Sequence, residues 1–125
     1  MREVWKLQGD DAGLGGRTAS ELIIARLERG IRTTWLESDR GRIACLVTNG
    51  ERALLMVLDH VEDAGAHLVD GTAGDTASTG YVLENGQVDS YADSDTVPLA
   101  SALEALQETI DADPAVSARP WVSDR

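Results

Sequence analysis

The chain has no Phe, one Cys, three Pro and half as many basic as acidic side chains. Without Phe, the interior has to be filled by Leu, Val, Ile, Ala and three Trp, so a mostly aliphatic core is expected. One cysteine excludes an intramolecular disulfide, and the place of Cys45 inside the apolar run Ile43 to Val47 marks its thiol as a small packed hydrophobe. No apolar run approaches the roughly 20 residues that a membrane helix requires. Met1 leads directly into Arg2, Glu3, Val4 and Trp5 rather than into the apolar core of a signal peptide, and the expected location is cytoplasmic. Eleven Lys and Arg against 22 Asp and Glu give a formal charge of -11. That charge repels nucleic acid and anionic membrane surfaces and favours a basic protein partner.

What is present suits a single domain over residues 1–125, since 125 residues with 42% apolar content can bury a core without metal or disulfide staples. After a short apolar stretch at Val4 to Leu7, the segment Gly9 to Gly16 is loop by composition. Thr18 and Glu21 have the spacing of a capping box, and Gly30 is the matching stop. Between them Ala19, Leu22, Ile23 and Leu27 recur at helical spacing. Thr33 to Glu37, Arg42 to Thr48 and Arg52 to Leu58 read as strands, the last two joined by the hairpin signal Asn49-Gly50. Ala66 to Val69 can pair next, and Asp70 to Thr79 reads as a loop or a weak edge. A second hairpin joins Tyr81-Val82-Leu83 to Gln87 through Tyr91 across Glu84-Asn85-Gly86. Asp95 or Thr96 as cap and Pro98 in the first turn open a second amphipathic helix through Leu99, Ala102, Leu103, Leu106 and Ile110, with Pro114 beyond its end. The tail around Pro120, Trp121 and Val122 reads as extended at a sheet edge. The expected fold is α+β: an antiparallel sheet of about five or six strands with two amphipathic helices packed on it.

No catalytic centre is marked. His60 and His67 lack a third nitrogen or sulfur ligand and read as surface histidines. Gly13-Leu14-Gly15-Gly16 lacks the following Lys and Ser or Thr of a phosphate loop. Asp70, Asp75, Asp89, Asp93 and Asp95 lack the regular spacing of a calcium loop and read as a solvated acidic surface. No serine sits in a nucleophile elbow. The expectation is therefore no enzyme, no metal and no cofactor.

The stretch from Gly80 through Val122 resembles the C-terminal half of an immunity-protein family of bacterial polymorphic-toxin systems, the one numbered first in that classification. The resemblance is carried by Gly80-Tyr81, the turn Glu84-Asn85-Gly86, Tyr91, Val97-Pro98, the helix Leu99 to Ile110 and Arg119-Pro120-Trp121-Val122, with Trp35-Leu36 upstream. Where the family has Thr-Gly before Arg-Pro, this chain has Asp113 to Ala118. The resemblance implies a cytoplasmic antidote that binds a toxin, often a nucleic-acid deaminase, without catalysis or cofactor. Interface anchors favour aromatics inside a polar rim. The expected contact residues are accordingly Trp35, Tyr81, Tyr91 and Trp121 with Asp89, Asp93 and Asp95, each aromatic having core packing as its other reading. The protein itself is expected to be a monomer or weak dimer. The alternative is an actinobacterial-style accessory or regulatory protein that binds a biosynthetic enzyme or carrier protein. An enzyme acting on a cationic metabolite ranks last.

Overall fold

Strands form where β-branched and aliphatic residues run between turn residues, and helices form where apolar residues return every three or four positions. The computed structural model describes residues 3–111 and 119–125, so the expectation that Pro114 lies past the second helix falls outside the described residues. In chain order the elements are β1 (Trp5–Leu7), β2 (Gly13–Leu14), α1 (Gly16–Glu28), β3 (Thr33–Ser38), β4 (Ile43–Thr48), β5 (Arg52–Leu58) and β6 (Ala66–Leu68). They are followed by β7 (Ala77–Val82), β8 (Val88–Ala92), one 3-10 turn at Asp93–Asp95, β9 (Val97–Pro98), α2 (Leu99–Asp111) and β10 (Trp121–Ser123). The fold is α+β.

The main sheet runs in the order β10-β6-β5-β4-β3-β1-β2, with β9 on the end of β5, and its ladders are antiparallel. It reaches eight strands because several are two- or three-residue pieces. The hairpin β7–β8 is not part of it and forms a second sheet. Side chains alternate across a strand. Leu36, Ala44, Leu46, Ala53 and Leu55 therefore face one side, where they join Ala19 and Ile23 of α1 and Ala102, Leu103, Ala105, Leu106 and Ile110 of α2 in the larger core. Trp35, Cys45, Val47, Leu54 and Met56 face the other side, where the hairpin lies on them.

The first helix starts earlier than the capping-box spacing implies. Gly15 is the N-cap, and no side chain of α1 caps it. The cap comes from the far end of the other helix: Asp111 Oδ1 accepts the Gly16 N–H at 2.8 Å. Glu21 instead meets Arg17 at 3.3 Å on the solvent side. Glycine is required at position 16, because a Cβ there would stand 2.8 Å from Gln107 Cα and 2.9 Å from its carbonyl oxygen. The helices close further along through Gln107 Nε2, which donates to Ser20 Oγ at 2.8 Å.

Three other expectations change. Gly13-Leu14, read as loop, pairs with Trp5 and Lys6 through backbone groups that composition does not report. The segment 70–79 divides, its last residues starting β7 at Ala77. Asp95, Thr96 and Pro98 do not open α2. Val97–Pro98 pairs with Arg52 and Ala53, Leu99 donates its N–H to Glu51 O at 2.9 Å, and Thr96 is fully buried with its hydroxyl turned to Arg52. The Trp121 tail is extended at the sheet edge against Leu68, as its composition suggests.

Candidate partner-binding site

The hairpin is placed by its turn and by one aromatic plug. Gly86 at φ 87° closes the turn, and Tyr81, with no exposed surface, sits on Cys45 and Val47. Tyr91 leans on Tyr81 with ring centroids 4.7 Å apart and planes at 53°. Its hydroxyl donates to Asp89 Oδ2 at 3.0 Å. Burial first, and then the Asp89 carboxylate, push the Tyr91 phenol up to about 12, so it is a neutral donor. Burial also pushes the Cys45 thiol up to about 12, with Glu84 adding to the effect, which makes it a packed group and not a nucleophile.

Of the seven residues expected at the interface, the structure gathers some and separates others. Trp35, Tyr81 and Tyr91 share the hairpin side of the sheet. Trp121 lies on the opposite side, partly buried against the helix-covered core, so the four aromatics do not form one patch. Asp93 is turned inward: Ser78 Oγ and Thr76 Oγ1 each donate to it at 2.6 Å, and these two bonds hold its carboxyl below the ordinary range. Asp89 is half-buried beside Gln87, which donates to it at 2.7 Å. Asp95 is the most open of the three, its side chain 56% exposed. Tyr81, lacking exposed surface, supports the hairpin from beneath rather than offering a contact.

Sequence reasoning missed the group that ties this region to the sheet. Arg52 Nη2 donates to Asp70 Oδ2, to Asp93 O and to Thr96 O at 2.9, 3.0 and 2.9 Å, and Nε donates to Thr96 Oγ1 at 3.0 Å. Hydrogen bonds from Thr72 and then Arg52 lower the Asp70 carboxyl to about 2. A signal for this existed, because no Lys or Arg occurs from Ala53 to Ala118 while carboxylates recur throughout. The flanking arginines are the available counter-charges, and Arg119 at the other end is likewise held by Glu108 at 2.7 Å and Glu104 at 3.2 Å.

His67 is not an ordinary surface histidine. Its Nδ1 lies 2.8 Å from Asp124 and its Nε2 3.0 Å from Asp95, so both nitrogens hold a proton when both bonds are made. Burial pulls its pKa down, but the two carboxylates more than offset this and leave it above the ordinary 6.5. A folded-state pKa above the unfolded one means the stabilisation is complete below 6.5 and is lost as pH rises through the raised value. The melting temperature of the native protein should therefore exceed that of His67→Gln most at mildly acidic pH and converge with it at alkaline pH. A gap independent of pH would show that the imidazolium contributes nothing.

Beside the hairpin, Arg26, Arg32, Trp35 and Glu84 help line an open cleft of about 420 Å³. Arg26 donates to Thr33 O and Arg32 to Gly80 O, at 2.9 and 2.8 Å, so both guanidinium groups also brace backbone. Among the described residues no group of three or more His, Cys, Asp or Glu could hold a metal ion, and no helix is long and apolar enough to cross a membrane. Compared with family models, curated proteins and solved structures, the chain matches none of them.

Proposed function

We propose that this chain is a non-catalytic acidic binding protein that neutralises a basic toxin domain, of the nucleic-acid deaminase or nuclease type, by binding it in the cytoplasm. The observation that carries this reading is the hairpin, which sets Asp89 on the half-buried Tyr91 and Glu84 in one cleft with the half-buried Trp35, in a stretch devoid of Lys and Arg. An enzyme that acts on nucleic acid tends to be basic, and an acidic blocker gains association rate from long-range attraction. The resemblance of Gly80 to Val122 to an immunity-protein family supports the same reading.

The test is affinity capture from the native host at low and then raised ionic strength. The expected result is a basic toxin-like domain whose association slows steeply as the Debye length falls below about 8 Å. Asp89→Asn combined with Asp95→Asn should slow association several-fold, roughly within one decade, with a smaller change in dissociation. A biosynthetic enzyme or carrier protein as the sole partner would overturn the toxin reading and favour an accessory role.

A further inference from the structure

An edge strand presents unpaired N–H and C=O groups, which a protein either covers or leaves as a template for another chain. The hairpin is a two-stranded sheet of its own, so β7 and β8 each have one such edge. The carbonyl groups of the β7 edge are taken up by side chains. Arg32 Nη1 donates to Gly80 O at 2.8 Å, Thr33 Oγ1 to Val82 O at 2.7 Å and Asn49 Nδ2 to Thr79 O at 3.1 Å.

Among the described residues nothing seals the β8 edge. Tyr81 pairs with Asp89 and Ser78 with Tyr91, and the bonds Leu83 N–H to Gln87 O and Asp93 N–H to Thr76 O, at 2.8 and 2.9 Å, fix the alternation. In an antiparallel pair the residues between hydrogen-bonded positions turn their backbone groups outward. Those outward groups are the N–H and C=O of Val88 and Ser90 and the N–H of Ala92. All three residues are exposed, Val88 by 59%, and none is a Lys or Pro of the kind that blunts an edge.

We propose that the β8 edge is the docking strand: an extended basic segment of the partner adds to it as a third strand. This rests on the reading of the protein as a binder of a basic partner. Backbone pairing supplies the register, and charge chooses the occupant. Asp89 is the one carboxylate within the strand, and Glu84 and Asp95 lie beyond its two ends, so an incoming strand that places Lys or Arg opposite Asp89 and towards its own ends meets carboxylates. A second copy of the chain is disfavoured, because symmetric pairing of two β8 strands brings the acids of one against those of the other.

The test uses the isotope-labelled full chain and two probes: a short peptide of alternating arginine and threonine, and the same peptide N-methylated at alternate backbone nitrogens. Strand addition predicts that the first peptide slows amide exchange at Val88, Ser90 and Ala92. It also predicts that N-methylation, which keeps every charge, weakens binding about tenfold or more. Ser90→Pro, which removes an outward N–H without breaking a bond to β7, should weaken binding similarly while retaining the native dichroism spectrum, and Ser90→Ala should bind as the native chain does. Equal binding of both peptides without protection at β8 overturns strand addition and leaves the basic-partner reading standing. Binding by neither peptide at low salt overturns both.

Discussion

Arg52→Met should lower stability by about 3 kcal/mol. The guanidinium lies at the start of β5 with a fifth of its side chain exposed and reaches two backbone carbonyls, a buried hydroxyl and a carboxylate. Three of those acceptors belong to the segment Asp93 to Thr96 that follows the hairpin, and the fourth, Asp70, belongs to the loop that precedes it. Met fills much of the same volume, so the loss reports the bonds rather than a cavity. Arg52→Lys should recover little, because one ammonium cannot span acceptors that a planar fork reaches from two nitrogens. Urea unfolding followed by tryptophan fluorescence checks the figure. A midpoint displaced by less than about 1 kcal/mol equivalent would mean that water replaces these bonds at little cost.

The consequence extends to the proposed docking strand. Arg52 holds the chain immediately after β8, and Thr76 and Ser78 hold Asp93 at the same junction. Loosening the junction frees the C-terminal end of β8, so an edge strand proposed to receive a partner depends on a cation outside it. Arg52 and Arg119 bound a stretch without Lys or Arg and each holds carboxylates of it, Arg52 that of Asp70 and Arg119 those of Glu104 and Glu108.

Local chemistry was the legible part of this fold. Asn49-Gly50 does what such a pair is expected to do: Asn49 Oδ1 accepts the N–H of Glu51 and Arg52 at 2.9 and 2.8 Å, and Gly50 takes φ 97°. Asn85-Gly86 turns the second hairpin on the same principle, with Asn85 Oδ1 accepting from Gln87 N–H at 2.9 Å. Both helices are visible from their apolar spacing, because an amphipathic period is written within a few turns. Features made by residues far apart were not legible. The cap of α1 is a carboxylate 95 positions away, so Thr18, the best local candidate, carried no information about it. Nothing in Tyr81 to Tyr91 tells whether that hairpin extends the main sheet or lies across it, since alternation reports that one face is buried but not what buries it. The candidate site was legible in composition, as aromatics among acids. Which aromatics are available to a partner was not, because Tyr81 and Tyr91 are the same residue type and differ only in what they touch.

That difference makes Tyr81 the most informative aromatic to change, and two substitutions there should act in opposite directions. Tyr81→Ala removes a fully buried ring from between Cys45, Val47 and Tyr91 and should cost about 3 to 5 kcal/mol, enough to detach the hairpin or unfold the chain. Tyr81→Phe removes only a hydroxyl, and that hydroxyl is buried without a hydrogen-bond partner among the described residues. An unmatched polar atom in an apolar cluster is a liability. Its loss should therefore leave stability unchanged or raise it by up to about 1 kcal/mol. Thermal melts of both variants beside the native chain decide the matter. A destabilised Tyr81→Phe would mean that the hydroxyl has a partner after all, a bound water being the simplest. Binding separates support from contact: Tyr81→Phe should bind as the native protein does, and Tyr81→Ala should lose affinity only in proportion to the fraction unfolded. A Tyr81→Phe variant that keeps its melting temperature but loses its partner would place Tyr81 in the interface and require the hairpin to lift from the sheet on binding.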